Sequence, residues 1–86
     1  MRSRRQGIQD LKMVMIIWRD CVSYDPWDSM DEHRNRNLHE IKSIGFLVSK
    51  TKESLVIVQN IDLESADASM SMSIPMLMVK SIKEIK

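Results

Sequence analysis

Apolar positions along the chain fall into runs separated by short polar breaks. The first run, 12–22, holds Met13, Val14, Met15, Ile16, Ile17 and Trp18 in succession. It is rich in β-branched residues and much shorter than a membrane span, and it predicts a buried strand. Segment 23–29 breaks the pattern, because Pro26 fixes its own backbone angle and drives Asp25 out of helical geometry. Asp25 is then placed to cap a helix with Pro26 at its first position, and Ser29 with Glu32 matches a capping box. A helical turn or two within 26–35 follows.

The second strand spans 38–49 and carries Ile41, Ile44, Phe46 and Val48. The phase of its apolar positions changes between Ile41 and Ile44, which predicts a bulge or bend near Ser43 and Gly45. Polar residues 50–53 make a hairpin connection into the third strand, 54–61. There Leu55, Ile57 and Ile61 share one side while Val56 and Val58 take the other, so both faces are expected to be buried. A small acidic loop, 62–68, leads to Met70, Met72 and Ile74 alternating with Ser69, Ser71 and Ser73, the period of a half-exposed strand. Pro75 ends it, a tight turn through 76–78 follows, and Val79, Ile82 and Ile85 form the last strand.

Five short strands with a helical insertion after the first, a bent second strand and a proline before the last give a mainly β protein. An open sheet would leave two edges to protect, so a small bent five-stranded barrel is the expected closure. The domain reading is a basic, flexible arm over 1–11 and one barrel domain over 12–86. Segment 43–48 together with Ser73-Ile74-Pro75 and Ile82-Lys83-Glu84-Ile85 resembles small barrels of the SH3-like and Sm-like kind, which include bacterial Hfq. A second set, Trp18-Arg19-Asp20, Ser23-Tyr24-Asp25, Trp27, segment 44–48 and Ile74-Pro75, is similar to short uncharacterised proteins common in bacteriophage genomes. The Sm-like resemblance covers the last half of the chain and implies a barrel that assembles into rings binding RNA bases and phosphates. The chain departs from it in lacking the glycine- and asparagine-bearing motif before the central hairpin, since Asn60 lies at the end of its strand.

Composition narrows the function classes. Hydrophobic residues make up 43% of the 86-residue chain and charged residues 29%, which is enough apolar content for a folded domain. A chain this short buries only roughly 60% of its unfolded surface, so self-association is expected to help it. Removing the three charges of Arg2, Arg4 and Arg5 from the formal +1 leaves −2 for the remainder. That balance argues against a general nucleic-acid coat, which needs a basic excess, and any anion site must be local. One cysteine, Cys21, excludes an internal disulfide, and with no long apolar segment near the start the expected location is a reducing cytosol. For a bacteriophage product that is the bacterial host's cytosol.

Candidate chemistry gathers after the first strand. Trp18, Tyr24 and Trp27 are three of the four aromatic residues, and they share one ten-residue segment with Arg19. Aromatic faces beside a guanidinium can stack a nucleobase; the same residues can equally serve as core and as pins for the loop. Arg34 and Arg36 lie in a basic stretch flanked by His33 and His39 that can meet a phosphate, or that forms an exposed polar turn. The five-residue spacing of the two histidines lacks the further ligands a zinc site needs, so no metal is expected. Catalysis and cofactors are likewise not expected: Cys21 reads as a small buried hydrophobe, the carboxylates from Asp20 to Glu32 as caps and surface charge, and two glycines cannot build a phosphate-cradling loop.

The expectation is therefore a non-enzymatic, homo-oligomeric binding protein with no membrane association. Its candidate ligand is a nucleotide-like small molecule, with Trp18, Tyr24 or Trp27 stacking the base and Arg19, Arg34 or Arg36 meeting phosphate. Such capture would suit sequestration of a host immune signal. The alternatives are an Sm-like ring binding RNA or single-stranded DNA, and an adaptor gripping a host or virion protein through the aromatic loop and the methionine-rich strand.

Overall fold

A computed structural model describes residues 11–21 and 27–86. Strand β1 (Met13–Asp20) is followed by a short helix α1 (Met30–Arg34) and the long strand β2 (His39–Lys50). Next come β3 (Ser54–Ile61), β4 (Ala68–Pro75), a single 3-10 turn (Met76–Met78) and β5 (Val79–Ile85). All neighbours pair antiparallel in one sheet, in the order β4-β3-β2-β1-β5. The five expected strands and the single helical insertion are thus present. The sheet is open: β4 and β5 are its two edges, and no pairing joins them among the described residues. The arm over 1–10, Asp25 and Pro26 lie outside the described residues.

Alternation along the strands sorts side chains onto two faces. Val14 and Ile16 of β1, Leu55 and Ile57 of β3 and Ile74 of β4 point to one face and are buried together. Trp18, Leu47, Met76, Val79 and Ile82 pack against that cluster. This inner face is the core. Met13, Met15, Ile44, Phe46 and Val48 alternate onto the outer face, where Val58 opposite Phe46 is also buried, at 6% exposure. Burial on both sides of β3 matches its sequence pattern.

The bend in β2 falls later than expected. Its register with β3 shifts between Leu47 and Ser49, which places the extra residue at Val48 and not near Ser43 or Gly45. Ser43 and Gly45 stay in regular register opposite Ile16 and Val14. Their small size suits what lies over them on the inner face. Ser43 Oγ accepts a hydrogen bond from the Trp18 indole at 3.0 Å. A Cβ added to Gly45 would sit 2.9 Å from the Val58 carbonyl oxygen and 3.1 Å from Ile57 Cδ1. The apolar phase change therefore reflects two deliberately small core positions. Beyond Phe46 and Val58 the strands part, and the Gln59 side chain donates to the Ile44 carbonyl at 2.7 Å in place of a ladder bond.

Turns follow their local chemistry. The Thr51 hydroxyl accepts from the backbone N–H groups of Glu53 and Ser54, closing the β2–β3 hairpin. Asp62 accepts from the N–H groups of Glu64 and Ser65 at 2.9 and 3.3 Å, and these bonds hold its carboxyl below the usual range. Ala66 closes that loop at φ 67°. Met70 in β4 also has a positive φ, 60°, a conformation that crowds any side chain bearing a Cβ. Only Ile74 of β4 is buried; Met70 is 70% exposed and Met72 38%, so this strand is more open than its alternation predicts.

Candidate functional site

β1 runs out of the sheet beside the start of β2, with Arg19 opposite Glu40 and Asp20 opposite His39. The described part of the insertion, 27–38, leads into that end of the sheet. Ser29 caps α1, its hydroxyl accepting from the Glu32 N–H at 3.1 Å, as the capping pattern predicts. The helix is short, only Met30–Arg34, and buries no residue. Polar contacts pin the segment that follows it. Arg36 hydrogen-bonds the Asp28 carboxylate and places Nη1 3.1 Å from His33 Nδ1.

A cleft of about 720 Å³ opens between this insertion and the end of the sheet. Arg19, Cys21 and Glu40 line it from the strand side, and His33, Arg36, Asn37 and Leu38 from the insertion. Glu40 pairs with Lys80 of β5 at 2.5 Å, reaching across β1. The hydrogen bond from Lys80, then its charge, and more weakly the charge of Arg19, hold the Glu40 carboxyl below its ordinary value against a small desolvation cost. Glu40 is therefore ionised at neutral pH. Of the charged residues that line the cleft, Arg19 and Arg36 are cationic and Glu40 anionic; Asp28 pairs with Arg36 and Lys80 with Glu40. Arg19 also borders a smaller hollow of about 210 Å³ with Leu77, Met78, Val79 and Lys80.

The structure brings two of the sequence candidates together: Arg19 and Arg36 share the cleft. Trp18 lies on the other face, packed against the core with its indole N–H given to Ser43. Trp27 is fully exposed and adjoins Asp28, the partner of Arg36. Arg34 pairs with Asp31 at 3.1 Å on the exposed side of α1 and does not line the cleft. Tyr24 lies outside the described residues. Cys21 is exposed, which corrects its reading as a buried hydrophobe: the strand ends at Asp20, one residue too early to bury it.

Cleft residues that sequence reasoning did not single out are Asn37, Leu38 and Glu40. Their signal is the β1–β2 register, which sets Glu40 beside Arg19, and register is not written in either strand alone. The outer-face serines of β4 stand apart from the cleft, with Ser69 accepting from Asn60 Nδ2 at 3.3 Å.

The cleft can do one thing well. Guanidinium groups are planar forks matched to phosphate and carboxylate oxygens, and two of them on separate elements can grip one anion from two directions. Its volume falls within the usual range for small-molecule sites. Among the described residues no group of three or more His, Cys, Asp and Glu is placed to hold a metal ion, and no helix is long and apolar enough to cross a membrane. Neither a family model, nor a curated protein, nor a solved structure matches this chain.

Proposed function

We propose that this chain is a non-enzymatic binding protein that holds a nucleotide-like, phosphorylated small molecule in the cleft at the end of β1. The observation that carries the reading is the meeting of Arg19 and Arg36, from a strand and from the insertion, at one polar cleft. The two arginines meet the phosphate. Trp27 supplies the aromatic face on this reading: it is exposed and precedes Asp28, the residue that anchors Arg36, in the chain. A base stacked on such a ring typically contributes about 1–3 kcal/mol.

On this reading the chain is a homo-oligomer of small SH3-like or Sm-like β domains whose sheet is open in place of the expected barrel, of the bacteriophage type, acting in the bacterial cytosol. Its binding would sequester a host signalling nucleotide. The small core supports association: among the described residues six hydrophobic side chains are buried, and large apolar side chains such as Met70 and Leu77 stand in solvent.

Native mass spectrometry of gently purified protein, followed by denaturation and identification of any released small molecule, tests the proposal. The expected result is a defined oligomer that releases a nucleotide, with retention lost in Arg19→Ala and in Trp27→Ala. Both side chains are exposed, so their removal leaves the fold intact. Protein that carries RNA fragments, with binding that weakens steeply as salt rises, would replace this reading with an Sm-like ring. Protein that carries neither would leave the adaptor reading, pursued by pull-down of a protein partner.

A further inference from the structure

The two edge strands are guarded unequally. β5 and the residue after it carry Lys80, Lys83, Glu84 and Lys86, and charges of this kind keep sheet edges from pairing with other chains. β4 has no charge in eight residues, Ala-Ser-Met-Ser-Met-Ser-Ile-Pro. Its irregular points are confined to the ends: Met70 with its positive φ near the start, and Pro75 at the close. Residues 71–74 between them keep unbroken register with β3 and present a regular outer edge.

We propose that β4 pairs antiparallel with β4 of a second copy of this chain, joining two sheets edge to edge about a two-fold axis. Symmetry makes the strand its own complement. A two-fold perpendicular to the sheet sets residues of like parity opposite each other, so Ser69, Ser71 and Ser73 meet serines and Met70, Met72 and Ile74 meet methionine or isoleucine. The methionines fall on the inner face, where the Met72 sulfur already lies 4.0 Å from Ser43 Oγ. Pairing therefore extends the core past its present edge, and flexible thioethers fill the seam. Charge selects the same occupant. A neutral strand meeting itself brings no repulsion, whereas β5 of a second copy would set Lys80 and Lys83 against a strand with no acid to receive them. This inference specifies the oligomer of the preceding reading and rests on it for the expectation that copies associate, but it uses none of the ligand chemistry.

The test is the mass of the full chain in solution, by light scattering and native mass spectrometry across a concentration series. A dimer is expected. The double variant Ser71→Lys with Ser73→Lys sets like charges against each other across the axis and raises the dissociation constant about tenfold or more, with an unchanged circular dichroism spectrum. Mixing it with the Ser71→Glu, Ser73→Glu chain restores a mixed dimer, which a folding defect would not allow. Lys83→Glu on β5 leaves the dimer intact. A chain that is monomeric at every concentration overturns the inference, as does a dimer indifferent to the β4 charges or one broken by Lys83→Glu. A dimer that binds no nucleotide keeps the inference and sinks the ligand; a monomer that binds nucleotide does the reverse.

Discussion

The indole N–H of Trp18 on β1 donates to the hydroxyl of Ser43 on β2 at 3.0 Å, joining residues 25 positions apart. The bond fixes the ring on the inner face, directly behind Arg19, whose side chain alternates outward to the cleft. Ser43→Ala leaves this partly buried N–H without its partner, a loss of about 1 kcal/mol. For a domain of this size that lowers the melting temperature by roughly 4–8 °C. Thermal unfolding followed by tryptophan fluorescence checks it.

Gly45 is needed for space and not for an unusual backbone angle, since no described glycine has a positive φ. A methyl group there would meet the Val58 carbonyl oxygen at 2.9 Å, a backbone atom that cannot step aside without moving the β2–β3 ladder. Gly45→Ala is expected to destabilise by about 1–3 kcal/mol, read as a lower denaturation midpoint at constant slope.

The Glu40–Lys80 pair sets a direction for pH dependence. Lys80 and Arg19 hold the Glu40 carboxyl below its ordinary 4.5, so in acid the folded chain binds fewer protons at this site than the unfolded chain does. The contribution to stability is present above that ordinary value and is lost as pH falls through the folded one. Carbon-detected NMR titration should place Glu40 below 4.5, and Lys80→Ala should move it back up.

Met70 offers a contrast within one strand. At φ 60° its Cβ is crowded in a way that costs an L-residue about 1–2 kcal/mol, more than the roughly 0.5–1 kcal/mol that glycine loses in chain entropy. Met70→Gly should hold or raise the melting temperature, while Met72→Gly, in an extended position, should lower it.

Much of the fold is legible in the chain because alternation is local information. The serine–methionine repeat of β4, the buried run of β1 and the Ser29–Glu32 spacing each identify their element without reference to any other. What escapes depends on partners. Ser43 and Gly45 read as a bend because small residues interrupt an apolar period; their size answers Trp18, Ile57 and Val58, which are distant in sequence. The true bulge at Val48 carries no glycine or proline to announce it. The cleft is half legible for the same reason. Arg19 and Arg36 stand out as cations near aromatics, whereas Glu40 and Lys80 meet only because β5 lies beside β1, a fact of topology.

The parting of β2 and β3 at Ile44, bridged by the Gln59 amide, makes the sheet two leaves on a common spine. One leaf is β5, β1 and the first half of β2, with the arginine cleft at its tip; the other is β3 and β4, ending in the neutral edge. Phe46 alone pairs with both β1 and β3; Leu47, Ser49 and Lys50 pair with β3 only. The core of Val14, Ile16, Leu55, Ile57 and Ile74 packs across both leaves, so the arginine cleft and the neutral edge stand at the two ends of one continuous apolar base.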